Sequence, residues 1–117
     1  MANPSMRRGS TFEQAVCEYL AAHGQPYAER RARRGRRDAG DVAGVPGWVL
    51  EVKAEKRMSV AGAVDEAERE RLNAGVPYAA SVLKRRMRPT SEAYVVMPLH
   101  RFATLLDELD RCCREDR

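Results

Sequence analysis

The chain is poor in the residues that mark disulfide-built, zinc-clustered or membrane-spanning proteins. Its 117 residues include three cysteines, Cys17, Cys112 and Cys113. That is an odd number with no CxxC pair, which argues against a disulfide framework and against a cysteine zinc site. The two histidines, His23 and His100, have no partner at ligand spacing and read as structural or surface residues. Aromatic residues make up 6% of the chain, so Phe12, Tyr19 and Trp48 read as core rather than as a platform for stacking bases. No run approaches the roughly 18 apolar residues of a membrane span. Arg7 and Arg8 have no apolar segment behind them, as a secretory signal would require. The expected location is therefore the cytoplasm, with no membrane partner. No repeat or low-complexity segment occurs apart from the arginine-rich stretch at 30–38.

What remains is an ordinary globular composition, 44% hydrophobic and 32% charged, in a length suited to one compact domain. The net charge is +4, and it is unevenly placed. Residues 1–37 hold Arg7, Arg8, Arg30, Arg31, Arg33, Arg34, Arg36 and Arg37 against Glu13, Glu18 and Glu29, whereas the rest of the chain is near neutral. A basic third on a neutral body points to a polyanionic partner, most simply nucleic acid. The 30–37 arginines would grip phosphates without reading bases, since guanidinium forks match phosphate oxygens. Lys84, Arg85, Arg86 and Arg88 form a second basic group, for which phosphate contact and mere solvation stay equally open.

Helical spacing of Phe12, Val16, Tyr19, Leu20 and His23 predicts a helix from Ser10 to His23, stopped by Gly24. Tyr27–Arg33 is expected to be a short strand and 35–40 a loop. Two strands should follow around Gly44-Val45-Pro46-Gly47, where Pro and then Gly suit the centre of a type II turn. The second of these strands, Trp48–Ala54, is rich in β-formers. Ser59 should cap a helix running to about Asn73, with an apolar stripe of Val60, Val64, Ala67 and Leu72, an outer Asp65–Arg69 pair, and Gly75 as its stop. Strands at 76–84 and 93–97 and a helix from Leu99 to Arg111 complete the order α-β-β-β-α-β-β-α. The expected fold is α/β, a single domain with one central mixed five-stranded sheet flanked by helices.

Along the strand Trp48–Ala54, Leu50 and Val52 point to one face and Glu51 and Lys53 to the other. Burying that charged pair without a purpose would cost several kcal/mol of desolvation. A turn centred at Pro46-Gly47 returns Asp41 to about the level of residue 52, beside Glu51. Two adjacent carboxylates repel unless a proton or a cation lies between them, and a hard divalent cation such as Mg²⁺ suits an all-oxygen site. Lys53 is one of only three lysines beside eighteen arginines. Its compact ammonium could orient or help activate a water and stabilise charge on a phosphate. Metal, water and cation together suit phosphodiester hydrolysis.

Asp41 followed by Glu51-Val52-Lys53 resembles the D-(x)n-E-x-K signature of the PD-(D/E)xK nuclease superfamily. Within it, residues 9–105 are most similar to the archaeal-type Holliday junction resolvases, with Gly9-Ser10-Thr11-Phe12-Glu13 opening the first helix and Arg30–Arg37 as the basic loop. The resemblance implies a restriction-endonuclease-like core, Mg²⁺ dependence (with Mn²⁺ as a substitute), a homodimer, and paired cuts in a four-way DNA junction. By position it makes Glu13, Asp41, Glu51 and Lys53 catalytic. Asp41 and Glu51 would hold the metal with the Val52 carbonyl and Glu13, and Ser10 would lie near a phosphate. The nuclease domain would then span 9–111, between an N-terminal arm (1–8) and a C-terminal tail (112–117), with the second helix as a guess for the dimer surface. Other readings stay open. Ser10 to Glu13 also spells a capping box. Asp41 alternatively does no more than start a strand, with Glu51 and Lys53 a surface ion pair of little worth. The substrate could be a flap, a nick or a restriction-type duplex target, and a non-catalytic basic DNA-binding protein is the remaining rival.

Overall fold

The computed structural model describes the backbone of residues 4–31 and 40–115, and within these ranges the side chains from residue 11 onward. The elements are α1 (Pro4–Ala22), β1 (Glu29–Arg30), β2 (Val42–Ala43), β3 (Trp48–Lys53), α2 (Val60–Ala74), β4 (Tyr78–Leu83), β5 (Tyr94–Val96) and α3 (Leu99–Glu115), with a single 3₁₀ turn before β5. This is the expected order. Helical backbone reaches into both expected terminal segments. Among the described residues no helix is long and apolar enough to cross a membrane.

The single five-stranded sheet is corrected to two sheets. β1 and β2 form an antiparallel ribbon, while β3, β4 and β5 form a mixed sheet in that spatial order. β3 and β4 run parallel, with Glu51 level with Ser81 and Lys53 with Leu83, and β5 returns antiparallel. The split has a local cause at Asp41. Its backbone N–H donates to the Leu50 carbonyl at 2.8 Å and its carbonyl accepts from Arg31 N–H at 2.9 Å, so the two sheets touch there. The next β3 donor, Val52 N–H, goes to Asp41 Oδ2 at 2.7 Å. A side chain thus takes the place of a ladder carbonyl, and the pairing ends.

β3 is buried on both faces. Leu50 and Val52 pack with Phe12, Val16 and Cys17 of α1 and with Val42, Ala80 and Val82. Val49 packs on the opposite side with Ala67 of α2 and Ala79 of β4. The turn leading into β3 forms as its residues require, with Trp48 N–H donating to the Val45 carbonyl at 3.3 Å and Gly47 at φ 83°. Helix α2 begins at Ser59, whose hydroxyl accepts from Gly62 N–H at 3.0 Å. It ends at Gly75, whose left-handed backbone donates to the carbonyls of Arg71 and Leu72. Its inward face keeps Ala67 of the predicted stripe but not Val60 or Leu72. Ala63, Ala67 and Glu70 are buried, while Val60 and Leu72 are exposed. Small alanines allow close approach to the sheet, and the fully buried Ser81 hydroxyl ties the helix down by donating to the Ala63 carbonyl at 2.7 Å.

Candidate carboxylate–lysine site

The site grows from three elements: the bend at Asp41, the α2-facing side of β3, and α2 itself. Gly40 makes the bend possible. Its φ is +95°, and a Cβ there would meet the Leu50 carbonyl oxygen and Val49 Cγ1 at 3.0 Å. Only glycine adopts that backbone easily in so little space, and a proline, which the resembled motif carries here, is locked to φ near −65°. Asp41 is then fixed by its three hydrogen bonds at the level of residues 50–52, as the hairpin argument anticipated.

Glu51 is 3% exposed and faces α2. The Glu51, Glu66 and Glu70 carboxylates each offer an oxygen within 4.8 Å of the others. Burial, the hydrogen bond to Glu70, and the charges of Asp41, Glu70 and Glu66 push the Glu51 pKa from an ordinary carboxyl value up to about 10. At neutral pH the group therefore holds a proton unless another positive charge replaces it. Lys53, one pleat further on, reaches Glu66 Oε2 at 2.8 Å and Glu51 Oε2 at 3.9 Å. Burial alone would lower its pKa. The Glu66 hydrogen bond and the charges of Glu66, Glu51 and Glu55 outweigh that and hold it above the ordinary value, so Lys53 serves as a fixed cation.

Glu51 and Lys53 are thus brought together with Glu66 and Glu70, and Asp41, whose charge acts on Glu51, lies beside that three-glutamate group rather than within it. Glu13 is not brought to that group. It lies on α1, across β3, where its Oε2 accepts from Arg30 Nε at 3.3 Å. The capping box is not formed, because residue 10 lies inside α1 and an N-cap residue needs non-helical backbone. Glu13 and Asp41 both raise the pKa of buried Cys17, after the larger effect of burial. Asp41 lies along the edge of β3, where Leu50 and Val52 hold it.

Glu66 and Glu70 were not anticipated. The signal for them is two glutamates at i, i+4 spacing, interleaved with Ala63, Ala67 and Ala74. Small residues mark a face that can approach a sheet, and it carries the carboxylates with it. The donor set, three carboxylates with hard oxygens close together, fits a hard divalent ion, which would have to displace the Glu51 proton. Such an ion would draw on Glu51, Glu66 and Glu70, with Asp41 beside them.

Of the predicted phosphate-binding residues, Arg30 and Arg31 are exposed on the β1 ribbon. Arg33, Arg34, Arg36, Arg37 and the Ser10 side chain lie outside the described residues. Lys84 follows β4 directly, its N–H donating to the Lys53 carbonyl at 2.9 Å, so the second basic loop starts at the same strand ends as the site. In that loop Arg85 is stacked over Tyr94 at 4.6 Å, Lys84 lies over Phe12 at 5.9 Å, and Arg86 is exposed. Compared with protein-family models, with curated proteins and with solved structures, the chain gives no match.

Proposed function

We propose that this protein is a Mg²⁺-dependent endodeoxyribonuclease of the PD-(D/E)xK kind, acting on branched DNA with the four-way junction as its substrate. One observation carries the reading. The Asp41 carboxylate is anchored at the level of a buried Glu51, with Lys53 next on the same strand face, in the D-then-E-x-K order of the resembled nuclease signature. When bound, the metal would supply a nucleophilic water and neutralise charge on the phosphate.

The chain's own residues do the rest. Glu51, protonated in the metal-free site, would give up that proton where a cation takes its place. Asp41 commits Oδ2 to Val52 N–H and is held rigid by it. Lys53, gripped by Glu66, keeps its charge at the strand end where developing negative charge on a phosphate would be stabilised. Lys84 and Arg86 beside it, together with Arg30 and Arg31 on the ribbon, would contact the flanking backbone without selecting bases. Junction preference rests on the resemblance and on this sequence-blind charge.

The test is incubation of the purified protein with a labelled four-way junction and a matched duplex, in Mg²⁺ and in EDTA. Metal-dependent paired nicks in the junction alone support the full reading. Cutting of both substrates keeps the nuclease and removes the substrate preference. Binding with no cleavage in Mg²⁺ or Mn²⁺ rejects the enzyme altogether.

A further inference from the structure

The basic loop after β4 carries an apolar side chain where neither folding nor solubility calls for one. Arg88 N–H donates to the Arg85 carbonyl at 3.3 Å, closing a turn over residues 85–88 with Met87 in its third position. Met87 has φ 63° and, among the described residues, is alone outside the glycines in having a positive φ. A turn with φ > 0 at that position ordinarily places glycine or asparagine there, because a Cβ crowds the left-handed backbone. Packing gives nothing in return. Met87 is 92% exposed, more than any other large apolar side chain among the described residues.

Both feet of the turn are tied to the chain that follows. Arg85 is stacked over Tyr94 of β5 at 4.6 Å, and an Arg88 guanidinium nitrogen lies 3.6 Å from Glu92 Oε2. Met87 therefore stands out from a fixed base, with Lys84, Arg85, Arg86 and Arg88 to either side of it in the chain. The loop also leaves the sheet beside the carboxylate–lysine site, since Lys84 N–H donates to the Lys53 carbonyl at 2.9 Å. Three residues of chain keep Met87 within about 11 Å of Lys84.

We propose that Met87 is a wedge that enters the base stack of bound DNA while the cations flanking it hold the neighbouring phosphates. This role rests on the DNA-binding part of the proposed function and not on cleavage. The thioether chain is slim and unbranched and adapts to an irregular gap, and methionine is among the apolar residues that proteins insert between base steps. One apolar side chain set between cations matches that pattern, whereas a lipid surface would favour a broader apolar face. Unstacking costs least where the bases are already poorly stacked or unpaired. The wedge thus gives branched DNA an advantage over an intact duplex that charge alone does not supply.

The test places the fluorescent adenine analogue 2-aminopurine, which brightens on unstacking, at the branch point of a four-way junction and in the same sequence within a duplex. EDTA keeps both substrates uncut. Wild type should raise the junction signal more than the duplex signal. Met87→Asn, which suits the left-handed backbone, should lose that rise with an unchanged circular dichroism spectrum and an unchanged salt slope of binding. Met87→Leu should keep it. Wild type that binds the junction without brightening it, or Met87→Asn that brightens it as wild type does, would overturn the wedge and leave the nuclease reading standing. Brightening in EDTA with no cleavage once Mg²⁺ is added would keep the wedge and remove the enzyme. Met87→Asn that loses binding to phosphatidylserine vesicles while brightening DNA as before would assign the side chain to a membrane and overturn the proposal.

Discussion

Replacing Glu51 by glutamine should make the metal-free protein more stable at neutral pH. The folded state favours the protonated carboxyl, because burial and the surrounding carboxylates raise its pKa to about 10, whereas in the unfolded chain it ionises near its ordinary value. A group whose pKa is raised on folding contributes its full stability below the unfolded pKa and loses it as pH rises toward the folded one. Between pH 4.5 and 7.5, at about 1.4 kcal/mol per pH unit, wild type would lose at most about 4 kcal/mol. Glutamine is nearly isosteric, stays neutral, and can donate to Glu70 as the protonated acid does. The stability gap should therefore be small at pH 4.5 and grow to about 2–4 kcal/mol at pH 7.5, a Tm difference on the order of 10 °C for a domain of this size. Urea or thermal unfolding in EDTA at pH 4.5, 6 and 7.5 reads this directly. A gap that does not change with pH, or a variant less stable than wild type at pH 7.5, would refute the reasoning. Mg²⁺ should narrow the gap by stabilising wild type alone, less so as pH falls, because cation and proton compete for the same carboxyl.

Asp41→Asn should abolish cleavage while leaving junction affinity and fold intact, since its amide oxygen can still accept from Val52 N–H. Asp41→Ala should in addition lose about 1–3 kcal/mol in denaturant titration, by stranding a buried donor. Gly40→Ala should destabilise by about 1 kcal/mol or more, because of its positive φ and the 3.0 Å approach to Leu50 and Val49. Equal unfolding midpoints for wild type and the alanine variant would contradict that account. Lys84→Ala/Arg86→Ala should weaken binding to junction and duplex alike and flatten the salt dependence of log K by about two. Fluorescence anisotropy over a salt series checks it, and an unchanged slope would leave the loop merely solvated.

Much of this arrangement was legible in the sequence because it rests on local rules. Pro46-Gly47 dictated the turn, Ser59 and Gly75 bounded α2, and period-two alternation put Glu51 and Lys53 on one face of β3. The two-sheet split was not legible. It depends on an aspartate side chain replacing a backbone acceptor, and no strand pattern records that. The inward face of α2 was legible only at Ala67. Hydropathy favoured Val60, Val64 and Leu72 beside it, whereas the close helix–sheet spacing keeps Ala67, adds Ala63 and leaves Val60 and Leu72 in water. Glu66 and Glu70 follow from that spacing, so the site could be read only in part. Ser10 to Glu13 had the spacing of a cap, but α1 begins at Pro4 and the spacing found no helix end to serve.

The hydrogen bond from Val52 N–H to the Asp41 carboxylate, where the two sheets meet, also gives the site its own spectroscopic reporter. The Val52 amide proton is held by a carboxylate rather than by a peptide carbonyl, and its nitrogen resonance senses the electron density on that oxygen. A cation beside Asp41 would pull charge away from Oδ2 and move this one amide in a ¹⁵N correlation spectrum. The amides of Val49 and Leu83, bonded within ordinary backbone, would stay still. Occupancy of the site becomes visible at a single backbone position, with no DNA and no turnover required.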